Sequence, residues 1–188
     1  MGTLLYKVAT ASDVSAANFS FTPDPDADAT SGGIIVFRNV LARFSIIFEV
    51  ALVSGMFISK CRRRFLNANS ITTVTANAAV VMLGMIGTER TFSAWNATSP
   101  GTLTEAYDLS TNNGADMGVG AAWALKATAG TTGPLGTAEL SGNANSANGA
   151  ILLALRPVNP IAPQATANLW SVSGTGDLRR SLMDPITG

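Results

Sequence analysis

Few residues in this 188-residue chain could do chemistry, and their spacing says which chemistry to consider. The segment "DPDADATSG" puts Asp24, Asp26 and Asp28 at the first, third and fifth positions of a calcium loop. The sixth position is then Ala29 instead of glycine, and the twelfth is Ile35 instead of a bidentate glutamate. The plain reading is a solvated turn. No metal site is expected, and these three aspartates are the one weak calcium candidate. Glu105 and Asp108 flank Tyr107 and invite comparison with an acid/base carboxylate pair. Their odd spacing on a regular strand would send them to opposite faces, which argues for two surface residues and against a catalytic pair. Trp95, Tyr107 and Trp123 are candidate glycan-stacking platforms, because an aromatic face packs well on a pyranose. The competing reading, that they are core, has the stronger general support.

Composition removes whole classes of mechanism. With no histidine, the commonest general base, the Ser-His and Cys-His nucleophile pairs and the usual zinc ligand are missing. The single cysteine, Cys61, forbids an intrachain disulfide and makes a thiolate metal site implausible. The glycines at 114, 118, 120, 130, 133 and 136 fit no phosphate-cradling loop and read as turn glycines. No catalytic residue and no cofactor is expected.

Charge is sparse, at 12 basic and 12 acidic residues, and unevenly placed. Residues 41–66 hold five of the basic residues (Arg43, Lys60, Arg62, Arg63, Arg64) and one acid, Glu49. The remainder is mildly acidic and offers no field for nucleic acid. The apolar run Phe44 to Ser59 makes about 24 Å of helix, short of a ~30 Å hydrocarbon core, so no membrane span is expected. The opening "MGTLLYKVATASDVSA" lacks the charged start and apolar core of a secretory leader, which leads us to expect a protein made inside a cell.

The elements that must position these residues are strands. "LLYKVA", "NFSFT", "GGIIVFRNV", "RTFSAW", "LTEAYDLS", "MGVGAAWALKATAG", "GTAELSG" and "GAILLALRPV" are short β-forming runs. "SITTVTANAAVVMLGMIG" reads as two strands, 71–75 and 79–86, joined by "ANA". Asn, Gly and Pro punctuate them at the spacing of a sandwich or barrel. The expected fold is all-β, a jelly-roll or Ig-like β-sandwich over residues 1–157. Residues 158–188 carry Pro160, Pro163 and Pro185 and no long periodic run, and read as an extended C-terminal arm. Leu169, Trp170, Leu178, Leu182 and Met183 give that arm enough apolar groups to dock on a neighbouring subunit, the alternative being an arm left disordered.

In order and spacing, "LYKVATASDVSAANFSFT", "GGIIVFRNV", "ITTVTANAAVVMLGMIG" and the long stretch from "TLTEAYDLS" to "AILLALRP" resemble a β-sandwich module of tailed-bacteriophage tail-fibre and other virion proteins. The resemblance covers residues 4–157. It implies a non-enzymatic structural part of a virion, made in the host cytoplasm and placed on the particle as a capsid decoration or a tail or fibre component. Its implied partners are other virion proteins, further copies of itself and a host-surface glycan. The rival from another class is a carbohydrate-binding module of a bacterial surface protein. Residues 41–66 depart from the pattern. CGN arginine codons read one nucleotide out become GNN, which turns "CRRRF" into an Ala/Val-rich string, so we read this stretch as an out-of-frame translation. A genuine aliphatic strand or buried subunit contact is the next reading.

Overall fold

A computed structural model describes residues 4–21, 30–41, 63–112, 114, 116–144, 146–158, 164–173 and 177–182. Among the described residues the elements are one short helix, α1 (Ala11–Ser15), and thirteen strands. In chain order the strands are β1 (Gly32–Arg38), β2 (Arg63–Asn69), β3 (Thr72–Thr73), β4 (Ala78–Ile86), β5 (Phe92–Ala97), β6 (Gly101–Thr102) and β7 (Thr104–Thr111). They continue with β8 (Met117–Lys126), β9 (Gly130–Thr131), β10 (Leu135–Ala144), β11 (Asn148–Leu155), β12 (Gln164–Ser173) and β13 (Asp177–Leu182). The chain is an all-β sandwich of antiparallel sheets, with its C-terminal arm extended as the hairpin β12–β13.

The central layer is β11-β4-β8-β7. On one face lies β2-β10-β5-β6, and between these two sheets sits a core of Leu66, Val80, Met82, Ile86, Phe92, Trp95, Ala122, Ala138, Leu140 and Leu152. On the other face lies the three-stranded sheet β1-β12-β13. There Ile35 and Phe37 pack on a second core of Ala79, Val81, Ala106, Tyr107, Ala121, Trp123 and Leu153. The arrangement therefore has three layers where a simple sandwich has two. The sequence of β4, "AAVVMLGMI", explains it. A strand with one solvated face alternates apolar and polar residues, whereas one covered on both faces is apolar throughout. The side chains of β4 are buried at almost every position.

One expectation about the start of the chain needs correction. "LLYKVA" and "NFSFT" are not strands; residues 4–10 and 17–21 have no regular structure. Helix α1 interrupts them, and its start is fixed locally by a capping box. Thr10 Oγ1 accepts the Asp13 N–H and the Asp13 carboxylate accepts the Thr10 N–H. The hydrogen bond from Lys7 at 2.6 Å, and those from the backbone and side chain of Thr10, hold the Asp13 carboxyl well below its usual range. The arm, in turn, meets its own chain: β12 pairs with β1 from Gly32↔Trp170 to Arg38↔Gln164. The backbone bonds Leu41 N to Arg156 O and Val158 N to Asn39 O continue this alignment back to the end of the sandwich.

Of the segment 41–66, residues 42–62 lie outside the described residues. Its end is well integrated. Leu66 is fully buried, and β2 runs in regular register with β10 from Asn69↔Leu135 to Phe65↔Glu139. The register breaks just beyond, before Arg63↔Ala144.

Candidate functional site

The carboxylates at 105 and 108 do not diverge as strand alternation demands. Thr104 and Glu105 pair with Trp123 and Ala122, and Tyr107 then pairs with Ala121, so Ala106 is an extra residue in β7. A bulge shifts every following side chain to the other face. Glu105 and Asp108 consequently both look toward β5, while Ala106 and Tyr107 both enter the second core. A matching irregularity lies opposite, where β5 and β10 pair at Asn96↔Thr137 and next at Ser93↔Glu139. Ala94, inside that irregularity, has φ +50°, the left-handed region that non-glycine residues rarely enter. The shift lets Phe92 and Trp95, three residues apart, both point into the first core.

The two irregular strands are stitched together. Trp95 Nε1 donates to Glu105 Oε2 at 2.9 Å, and the Phe92 N–H donates to Asp108 Oδ2 at 2.7 Å. Asp108 Oδ1 is buried with no partner. Burial raises the Asp108 pKa, the nearby Glu105 charge adds to the rise, and the Phe92 N–H opposes it. A raised carboxyl pKa with a second carboxylate nearby is the electrostatic pattern of an acid/base pair. One oxygen of each carboxylate is nevertheless already engaged by the protein. The arrangement works as a clamp between two sheet edges that share no strand ladder here, and Gly120 makes room for it. A Cβ at Gly120 would lie 2.8 Å from the Phe92 ring and 2.9 Å from the Trp95 ring.

The three candidate stacking platforms are core residues. Trp95 is 2%, Trp123 8% and Tyr107 9% exposed, so none offers an open ring face to a sugar. Trp95 packs on Phe92 with ring centroids 5.5 Å apart, and Trp123 meets Phe37 edge-on at 5.8 Å. Burial pushes the Tyr107 pKa up to about 12. The folded state therefore keeps a proton that the unfolded chain gives up near 10.0, so this contribution is complete below pH 10 and is lost as pH rises toward 12. In urea unfolding, wild type should lose about 3 kcal/mol more than Tyr107→Phe across that window, since two units correspond to twice ~1.36 kcal/mol. Equal losses would mean that the phenol titrates alike in both states.

One polar contact gave no signal in the sequence. Lys126, at the end of an Ala-rich strand, is buried, and its Nζ donates to Ser99 Oγ at 2.8 Å. A Ser–Lys nucleophile would need donors for an oxyanion beside the serine. The Ser99 N–H is instead bonded to the Thr132 carbonyl, which is itself locked to Ile71 through the Thr132 side chain. This cluster ties the β5–β6 turn to the β9 loop. Among the described residues no group of three or more His, Cys, Asp or Glu side chains is placed to hold a metal ion. Asp24, Asp26, Asp28 and Met183 lie outside the described residues. Leu169 and Trp170 stand in β12, opposite Gly33 and Gly32, and Leu178 and Leu182 stand in β13, opposite Val172 and Asn168. Among the described residues no helix is long and apolar enough to cross a membrane.

Comparison with protein-family models, curated proteins and solved structures finds no match to this chain.

Proposed function

We propose that the protein is a non-enzymatic structural component of a tailed-bacteriophage particle, a small β-sandwich module attached to its surface as a capsid decoration or as a tail or fibre part. The observation that carries this reading is the ordered resemblance over residues 4–157, and it sits on an all-β body. A structural role is further supported by how the chain uses its candidate chemical groups. Glu105 and Asp108 clamp two sheets, Trp95, Tyr107 and Trp123 fill two cores, and Lys126 secures a turn. The same burial takes away the observation that favoured a bacterial carbohydrate-binding module. Other virion proteins and further copies of this chain are the proposed partners.

Quantitative peptide mass spectrometry of purified particles tests the reading. Hundreds of copies per particle identify a decoration protein, and a handful identify a tail or fibre component. Absence from particles overturns the proposal. The same spectra decide the nature of residues 43–65: a peptide reading FSIIFEVALVSGMFISK establishes the stretch as genuine and ends the out-of-frame explanation.

A further inference from the structure

The outer face of the sheet β2-β10-β5-β6 carries a transverse file of uncharged hydrogen-bonding side chains. Asn67 pairs with Thr137, Thr137 with Asn96, and Asn96 with Thr102, so one residue from each of the four strands stands in line. The residues on either side of each in β2, β10 and β5 are buried, and pleat alternation therefore turns the file outward. Asn67, Asn96 and Thr102 are accordingly exposed, and Thr137 is half-buried. With strands ~4.8 Å apart, the file runs ~14 Å across the sheet.

Two apolar side chains flank the file on the same face. Phe65 stands two residues before Asn67 in β2 and Leu135 two residues before Thr137 in β10, and they are 48% and 40% exposed. Because the two strands are antiparallel, these side chains lie on opposite sides of the file. Charge is sparse. Within residues 65–69, 92–97, 101–102 and 135–139 the one charged residue is Glu139, and Arg64 Nη2 lies 3.8 Å from its carboxylate. Such a face has neither the positive charge that nucleic acid requires nor the apolar centre of a stable protein interface. It matches a neutral guest whose surface alternates hydroxyls with C–H patches. An Asn amide and a Thr hydroxyl both donate and accept, as a sugar hydroxyl does, and an open ring such as that of Phe65 packs on C–H groups. Short side chains on paired strands also lose little freedom when a ligand fixes them.

We propose that this face binds a neutral glycan laid along the file Asn67–Thr137–Asn96–Thr102, with Phe65 packing on a sugar ring at the β2 end. Cross-strand neighbours whose Cβ atoms lie ~4.5–5.5 Å apart can share one guest hydroxyl between them. The file is longer than a single sugar ring, which selects an oligosaccharide over a monosaccharide, and its lack of net charge selects against an anionic glycan. Its residues are distinct from Trp95, Tyr107 and Trp123, whose rings are buried. The inference does not rest on the virion reading: failure to bind a glycan leaves the copy number in particles untouched, and absence from particles leaves glycan binding untouched.

Affinity electrophoresis of the full chain through gels containing starch, β-glucan, galactomannan or dextran, with alginate as the anionic control, tests the proposal. At least one neutral polysaccharide is expected to retard wild type, and alginate is not. Asn67→Ala/Asn96→Ala, which alters two exposed positions, is expected to weaken that binding about tenfold or more with an unchanged melting temperature. Phe65→Ala is expected to weaken it as well. In wild type, the side-chain amide signals of Asn67 and Asn96 should shift in heteronuclear NMR when oligosaccharides cut from the retarding polysaccharide are added, which keeps the proposal testable if a variant folds poorly. No retardation by any of the neutral polysaccharides, retardation that survives the double substitution, stronger binding to alginate, or amide signals indifferent to the oligosaccharides each overturns the proposal.

Discussion

Trp95→Ala is expected to lower the stability of this protein by about 3–5 kcal/mol, the range for deleting a fully buried large aromatic. That is a large part of the ~5–15 kcal/mol that holds an ordinary domain together. Collapse around the missing ring would be poor. The ring rests against Gly84 and Gly120, where a Cβ would approach it to 3.1 and 2.9 Å, so bare backbone lines one side of the hole and no side chain there can move in. The substitution also leaves Glu105 without its indole donor, and the clamp between β5 and β7 keeps only the Asp108 bond. Urea unfolding followed by far-ultraviolet circular dichroism measures the loss without relying on the deleted fluorophore. A loss under about 1 kcal/mol, the size of an ordinary surface change, would remove Trp95 from the core.

Gly33→Ala is expected to act on the other side of the central layer and in a different way. A Cβ at position 33 would lie 2.4–2.7 Å from three carbons of the Tyr107 ring. The ring is buried in the second core between Ala106, Trp123 and Leu153 and has nowhere to retreat. The sheet β1-β12-β13 must move outward instead, at a cost of about 1–3 kcal/mol for overpacking. Because β1 carries β12, and β12 carries β13, the C-terminal hairpin moves with it. Limited proteolysis should therefore cut the hairpin of Gly33→Ala faster than that of wild type, while denaturant unfolding of the inner two sheets shifts little. Adding Tyr107→Ala should return hairpin cutting to the rate of that single variant, since the clash no longer exists. If Gly33→Ala instead unfolds the whole molecule in one step with no early cutting, the three layers form a single cooperative unit.

Strand β1 and most strands between residues 71 and 155 were legible because local chemistry and fold agree. The second strand of the pair in "SITTVTANAAVVMLGMIG" was expected to begin at 79 and begins at 78, and Asn77, with φ +56°, makes the turn that its side chain tolerates. The first covers only Thr72–Thr73. The bulges were not legible. Ala94 and Ala106 look like ordinary strand residues, and only the tertiary placement of Trp95 and Tyr107 reveals that each adds a residue. That single insertion decided the reading of Glu105 and Asp108. The N-terminal runs failed for the opposite reason: their β propensity is real, but a strand needs a partner ladder, and among the described residues no strand pairs with them. In the arm, "ANLWSVS" and "DLRRSL" have strand character that the prolines before them obscured, and the partner that orders them, β1, is very distant in sequence.

That distance has a consequence during synthesis. Arg38 pairs with Gln164, roughly 125 residues downstream, so at ~5–20 residues per second β1 waits on the order of 6–25 s for its partner strand to be made. In about the last third of that interval, once Trp123 has been made, the face bearing Tyr107 and Trp123 can be assembled but not covered, and an apolar sheet surface stands open beside other nascent chains. The final thirty residues thus close a wound as much as they extend a fold. A ribosome that stalls or terminates before residue 164 releases a protein with its first core intact and its second bare, a species suited to aggregation or to capture by chaperones.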